Sequence, residues 1–206
     1  TRLPVGAQRD AAAAGLPQRW AGAGRWVELD VEVPGLAAPL TVVSTYVHTG
    51  GAGTPRQDEK QAFLDAVTAR TGELAAGPGE ALVTGDLNIA PTDADLRNWR
   101  GNRGRAGCLP QERAHLEGWA AAGWVDVVRA LHPGQDGPYS WWSWRGQAFD
   151  RDTGWRIDHH FATPGLAALA ADARVDRAAS YAERFSDHAP VVVAFGQPGS
   201  GAGAVR

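Results

Sequence analysis

Apolar positions recur along this chain in two rhythms. Residues 25–33 alternate apolar and polar, with Trp26, Val27, Leu29, Val31 and Val33 as the apolar members. Residues 41–47 are β-branched and apolar, and both stretches predict strands. A short apolar run at 81–84 predicts a buried strand. Residues 58–69 change rhythm, placing Ala62, Phe63, Ala66 and Val67 on one face of a helix. A second helix is expected over 112–122, stopped by Gly123, and a short helical turn over 125–131. Further strands are expected at 140–144, 156–163, 173–178 and 190–195. Residues 1–24, rich in Ala, Gly and Pro, predict no element. The polar stretch 89–110 predicts a long loop, a length that often carries function. With no repeat and no linker, residues 1–195 predict one α/β domain, and the Gly/Ala-rich residues 196–206 a flexible tail. Strands interrupted by a few helices imply two packed sheets flanked by helices.

Composition narrows the function classes. The chain has 206 residues, 44% hydrophobic and 21% charged, with a formal net charge of −3. That balance suits a water-soluble domain with a core and excludes a uniformly basic nucleic-acid coat. No apolar run reaches membrane-span length, so no membrane partner is expected. Cys108 is the only cysteine, which excludes an internal disulfide framework and a cysteine-rich zinc site and fits a cytoplasmic setting.

The chemistry concentrates in a few places. Gly85-Asp86-Leu87-Asn88 follows the buried strand, so a carboxylate and a carboxamide project from one strand tip. Alone this is ordinary turn chemistry. It gains force from Ser186-Asp187-His188, placed just before the last strand, and from Asp158, placed at another. A carboxylate can orient an imidazole and stabilise its protonated form, so Asp158 and His188 make a candidate dyad if adjacent strands bring them together. Asp86, Asn88 and Asp187 offer hard oxygen ligands that suit Mg²⁺ better than zinc. Tyr46, at a strand end, can hydrogen-bond a phosphate oxygen. Arg97, Arg100, Arg103 and Arg105 share one loop with Trp99, a composition suited to a phosphate backbone and equally to a solvated charge run. In the Trp-rich run 139–144 most aromatics should be core; Trp155 is the favoured rim residue, with Trp142 a further DNA-facing candidate. His159 and His160 point to opposite faces of a strand and are read as structural.

The chain resembles the exonuclease III family (exodeoxyribonuclease III and AP endonucleases) of the endonuclease/exonuclease/phosphatase superfamily. The matching stretches, in the family's order, are Tyr46-Val47 with Gly50, Gly85-Asp86-Leu87-Asn88-Ile89-Ala90-Pro91-Thr92-Asp93, Leu109-Pro110-Gln111-Glu112-Arg113, Gly123-Trp124-Val125-Asp126-Val127-Val128-Arg129, Tyr139-Ser140-Trp141-Trp142-Ser143-Trp144-Arg145, Gly154-Trp155-Arg156-Ile157-Asp158 and Ser186-Asp187-His188-Ala189-Pro190. The resemblance implies a four-layer αββα sandwich, deoxyribonuclease I-like. It implies Mg²⁺- or Mn²⁺-dependent phosphodiester hydrolysis on double-stranded DNA, at abasic sites or 3′ ends, by a monomer. Carried over, Asp86 would activate water or protonate the leaving group, Asn88 would stabilise the transition state, and Tyr46 would contact the scissile phosphate. His188, oriented by Asp158, would bind phosphate or move a proton. Asp86, Asn88, Asp187 and His188 would surround the metal, and Trp155 would pack on an extruded abasic sugar.

The sequence also departs from the family. The family's opening strands, one ending in Asn and one carrying a metal-binding Glu, have no counterpart, and there is no Met in the chain. An N-terminally truncated fold is therefore expected. His48 stands where the family usually has Pro. Two other functions compete: a superfamily phosphoesterase acting on lipid or inositol phosphates, and a non-catalytic DNA-binding fragment.

Overall fold

The computed structural model describes residues 1–196; the expected tail lies outside the described residues except for Gly196. Six strands form the larger sheet: β1 (Val5–Asp10), β2 (Trp26–Val31), β3 (Leu40–Thr45), β4 (Ala81–Asp86), β5 (Val125–Asp126) and β6 (Asp158–Ala162). Their spatial order is β1-β2-β3-β4-β6-β5. The second sheet is the antiparallel pair β7 (Ala170–Val175) and β8 (Val191–Phe195). The helices are α1 (Pro55–Ala76), α2 (Trp99–Asn102), α3 (Pro110–Ala121), α4 (Val127–Leu131) and α5 (Pro164–Ala167). None of the described helices is long and apolar enough to cross a membrane.

One connection sets the geometry of everything that follows. α1 carries the chain over the sheet between β3 and β4, which lie parallel. Their C-terminal ends, at Thr45 and Asp86, therefore reach the same edge. β6 runs antiparallel to β4, with Asp86 opposite Asp158, so its N-terminal end joins them there.

The helical face of the sheet holds the main core. Phe63, Leu64 and Val67 of α1 and Leu116 and Trp119 of α3 pack on Val43, Val83 and Phe161. Trp119 meets Phe161 edge-on at 5.1 Å. The other face of the sheet carries Val42, Leu82 and Ala162, covered in part by Val193 and Phe195 of β8. Burial along β2 departs from the apolar pattern at two positions. Val27, on the second face, is 46% exposed, whereas Glu28, on the helical face, is fully buried. Glu28 is tolerated because Arg9 and Arg70 both donate to its carboxylate and Trp26 adds a third donor.

Two expectations are corrected. Residues 1–24 contain strand β1, an exposed edge strand with no apolar signature, held by Arg9 reaching Glu28 and Asp30 on β2. Residues 140–144 form no ladder. Trp141 instead makes single bridges to Trp155 and to His188, so this segment laces two parts of the fold together.

A buried ionic cluster pins the connection into β6. Arg156 is 1% exposed and donates two bonds to Asp126 (2.9 and 2.8 Å) and one to Asp95 (2.7 Å). Arg129 also donates to Asp95, at 2.5 Å, and Thr92 supplies two more donors. Burial opposes the Asp95 charge, but Arg156, Arg129 and Thr92 outweigh it and hold the pKa at about 2. A depressed carboxylate contributes stability that is fully present above its unfolded pKa near 4 and is lost as pH falls through about 2. The contribution is about 2 kcal/mol. Asp95→Asn should cost about 3 kcal/mol or more at pH 7, because it leaves the buried Arg156 and the half-buried Arg129 short of a counter-charge. Urea unfolding at pH 7 and pH 2.5 checks both statements: the variant's deficit should shrink at the lower pH, and an equal deficit at both would refute the assignment.

Candidate active site

The strand ends open into a cavity of about 430 Å³ whose lining includes Tyr46, Asp86, Asn88, Trp155, Asp187 and His188. Positions far apart in the chain thus meet in one place. The elements explain why.

Gly85 is the hinge of the β4 end. Its φ is +139°, and a Cβ there would lie 1.8 Å from the Thr45 carbonyl oxygen, so β3 and β4 can close on each other only over glycine. Asn88 follows with φ at 50°, a left-handed conformation that Asn tolerates better than most residues. The resulting turn is closed by its own side chains. Asp86 Oδ1 accepts from the Asn88 backbone N–H, and Asp86 Oδ2 accepts from Asn88 Nδ2, both at 2.8 Å. Asn88 Nδ2 also donates to the Val47 carbonyl at 2.8 Å, while Thr49 donates to Asn88 Oδ1 at 3.0 Å. With both amide hydrogens engaged, Asn88 presents its carbonyl oxygen to the cavity.

Asp158 and His188 form a hydrogen-bonded pair, with Nδ1 to Oδ2 at 2.9 Å. They do not come from neighbouring strands, as the sequence led one to expect. Asp158 opens β6 in the large sheet, and His188 precedes β8 in the small one. The lacing segment joins them: Ser140 donates to Asp158 Oδ2 at 2.6 Å, the Ala189 N–H donates to the Ser140 carbonyl, and the Trp142 N–H donates to the Asp187 carbonyl. The Trp141 indole N–H donates to Asp187 Oδ2 at 3.0 Å. The pairing assigns the Nδ1 proton of His188 to Asp158 and leaves Nε2 for the cavity.

Electrostatics separate the two facing carboxylates. Burial, and then the charge of Asp158 opposite, push the Asp86 pKa up to about 7. Burial works against a charged His188, but the hydrogen bond and charge of Asp158, with Asp86 and Asp187 behind them, hold its pKa above the ordinary histidine value. The site thus gathers three carboxyl groups, Asp86, Asp158 and Asp187, around the one imidazole of His188.

That grouping bears on a metal. Among the described residues no group of three or more His, Cys, Asp or Glu side chains is packed closely enough to hold an ion by itself. Asp86, Asn88, Asp187 and His188, the residues expected to surround a metal, all line the cavity. That set fits Mg²⁺, which is commonly held by one or two carboxylates with waters and substrate phosphate completing its shell.

The remaining candidates divide. Tyr46 is 44% exposed at the cavity mouth. Trp155 lines the wall, packed edge-on against Trp141 at 6.2 Å. Arg100 and Arg103 both stack on Trp99, each 4.4 Å from its ring. Trp99 in turn packs with Trp155 on the cluster of Ala90, Leu96 and Cys108, so the basic loop adjoins the site. Arg97, exposed, faces Asp136 at 3.4 Å. Trp142 is corrected: it is 2% exposed, packed on Phe149 with its N–H on Asp152, and cannot stack on a base.

Sequence reasoning missed the supports. Lys60 of α1 is fully buried, donates to Glu112 at 2.6 Å and to the Asn88 carbonyl at 2.9 Å. Glu112 Oε2 accepts the N–H groups of Gly107 and Leu109. The pair thus ties the Asp86–Asn88 turn to the wall formed by Gly107, whose missing Cβ would sit 2.9 Å from the Trp155 ring. A signal existed: Gln57, Lys60, Leu64 and Val67 share the core stripe of α1, and a lysine on such a stripe needs a buried partner. Ser140 and Thr49 carried no comparable signal.

Known proteins share this architecture. Residues 12–188 match the Endonuclease/Exonuclease/phosphatase family. An exodeoxyribonuclease of Bacillus subtilis is 35% identical over 150 residues, 73% of this chain and 58% of that protein. The DNA repair nuclease APEX1 of Danio rerio is 31% identical over 153 residues, 74% of this chain and 47% of that protein. The chain thus spans roughly half the length of these curated relatives. Among solved structures, the 3′ phosphatase NExo from Neisseria bound to product DNA hairpin superposes with a TM-score of 0.82 at 29% identity, covering 95% of this chain and 72% of that one. An AP endonuclease from Archaeoglobus fulgidus gives 0.81 at 25% identity, with 94% and 72% covered. The fold is that of these nucleases, and the strand-end cavity lies between chain segments inside the matched span. This chain belongs to the endonuclease/exonuclease/phosphatase family.

Proposed function

We propose that this protein hydrolyses phosphodiester bonds in duplex DNA with Mg²⁺ or Mn²⁺, in the manner of exodeoxyribonuclease III, trimming 3′ ends and incising at abasic sites in DNA repair. The observation that carries this reading is the convergence of Asp86, Asn88, Asp187 and the Asp158–His188 pair on one cavity. The relatives' own names, exodeoxyribonuclease and DNA repair nuclease, point the same way. A monomer in the cytoplasm is the setting we assign.

Each residue has a task that its surroundings allow. His188 Nε2, held by Asp158 and Ser140 behind it, donates a hydrogen bond or proton to a non-bridging phosphate oxygen. Asp86, poised near neutrality, takes a proton from the attacking water or returns one to the leaving oxygen. Tyr46 binds the phosphate at the cavity mouth. A bound Mg²⁺, held by Asp86, Asp187 and the Asn88 oxygen, supplies charge neutralisation of the phosphoryl group. Trp155 offers an apolar face to a sugar that lacks its base, and extrusion is cheapest where no base has to be unstacked. Arg97, Arg100 and Arg103 bind backbone phosphates beside the site.

The test is incision of a labelled duplex carrying one abasic site, with Mg²⁺ and with chelator. Metal-dependent cutting 5′ to the site is expected, and cutting that survives the chelator would refute the metal requirement. Asp86→Asn and His188→Asn should each lower the rate by roughly 10²-fold or more; near wild-type rates would remove them from the mechanism. The thermal transition of Asp86→Asn without metal should stay level or rise. The folded pKa of Asp86 lies above its unfolded value, so its charge opposes folding from about pH 4 up through pH 7 and above. A transition several degrees lower would contradict that sign.

A further inference from the structure

Beside the cavity lies a cluster to which the hydrolytic reading gives no task. Arg184 is 8% exposed, yet none of its three guanidinium nitrogens has a hydrogen-bond partner among the described residues. Its guanidinium lies 3.5 Å over the Trp144 ring, 4.9 Å from Tyr181 and 5.2 Å from Phe149. The aromatic faces offset part of the charge, but they accept no N–H bonds, and a buried guanidinium with five unmet donors is costly. The carboxylate in the lining of the small gap around it, Asp176, is engaged by Arg174 at 2.9 Å. Next to this orphan cation stands the opposite defect. Phe185 is 80% exposed, Trp144 48% and Tyr181 41%, an apolar surface left open to solvent on the side away from Arg184.

The cluster sits close to the reacting groups. Phe185 adjoins Ser186, Asp187 and His188 in the chain, and it shares a cleft with Asp158 and His188. Trp144 follows the segment that carries Trp141 on the cavity wall. One kind of ligand relieves both defects: an anionic oxygen for the guanidinium fork and a flat ring for the aromatic faces. A nucleotide supplies both. Within a duplex the base faces are stacked on each other, so an interior paired nucleotide has no face to give, whereas an unpaired nucleotide can turn its base onto the protein.

We propose that Arg184, Trp144, Tyr181 and Phe185 form a subsite for an unpaired nucleotide of a DNA strand. The proposal rests on the DNA-hydrolysing reading for its choice of nucleic acid. Phe185, exposed and lining the small gap over Arg184, is the side chain that turns aside to admit a phosphate oxygen. The base then stacks on the aromatic surface. DNA ends that are frayed or single-stranded thereby gain a hold on the protein that blunt ends lack.

The test is binding of a fluorescein-labelled oligothymidylate to the full chain by anisotropy, in chelator so that no cutting intervenes. Phe185→Ser should weaken binding about tenfold, since base stacking on an aromatic side chain is worth that much. Phe185 is too exposed to hold the fold together, and circular dichroism checks that the variant is folded. Arg184→Gln should weaken binding similarly, and Arg184→Lys should recover only part, because an ammonium lacks the planar fork. Unchanged oligonucleotide affinity in Phe185→Ser overturns the subsite, as does a wild-type chain that cuts duplex but does not bind the oligonucleotide. A chain that binds the oligonucleotide through Phe185 and cuts no DNA overturns the hydrolytic reading and leaves the subsite standing.

Discussion

Two carboxylates face each other across adjacent strands at the end of a sheet, and the rest of the site is arranged around their repulsion. Asp86 and Asp158 are register partners, so the backbone ladder itself sets their separation. The fold treats them differently. Asp158 receives Ser140 and His188, which satisfy its oxygens and compensate its charge. Asp86 receives only the neutral donors of Asn88 and is left near neutrality in pKa. Asp158 thereby serves to orient His188, and Asp86 remains free to exchange a proton or accept a cation. The same pairing of like groups with unlike surroundings separates acid and base roles in many hydrolases.

Such a site needs rigid walls, because each displaced donor would leave a buried charge unmet. The walls are held by ion pairs rather than by apolar packing alone. Lys60 and Glu112 join the Asn88 turn to the Gly107 wall, and Arg156 with Asp95 and Asp126 fixes the approach to Asp158. Buried pairs of this kind add little net stability over an apolar replacement. Their use here is geometric: the fork of Arg156 and the carboxylate of Asp95 admit few arrangements, so the segment 154–158 has one path. His159, donating to the Ile89 carbonyl and accepting from Arg156, extends the same brace across β4 and β6.

How much of this was legible in the sequence follows from which forces were local. Strands with apolar runs, such as residues 81–84, and helices with a clear stripe, such as that containing Phe63 and Val67, could be read because their burial is written at short range. β1 could not: its partner residues, Glu28 and Asp30, lie far along the chain, and it is held by Arg9 rather than by apolar burial. Residues 140–144 read as a strand because aromatic enrichment signals pleated packing, whereas Trp141 divides its backbone pairing between Trp155 and His188. In the site, Asp86, Asn88 and His188 stood out through motif spacing. Ser140 and Thr49 did not, since a hydroxyl gains its meaning only from the carboxylate or amide it meets in three dimensions.

The division of the site between two sheets has a mechanical consequence. Asp86, Asn88 and Asp158 belong to the large sheet, and Asp187 and His188 to the approach of β8. The two halves meet through the bonds of Ser140, Trp141 and Trp142, and through an apolar contact that Val193 and Phe195 only partly cover. A slide of one sheet on the other would lengthen the His188–Asp158 bond, and a hydrogen bond weakens steeply with distance and angle. The alignment of His188 therefore depends on how the two sheets are held together. The residues that protect it are those of the lacing segment, where Ser140 and Trp141 bind both halves of the site and Trp142 anchors the segment in its own apolar cluster with Phe149.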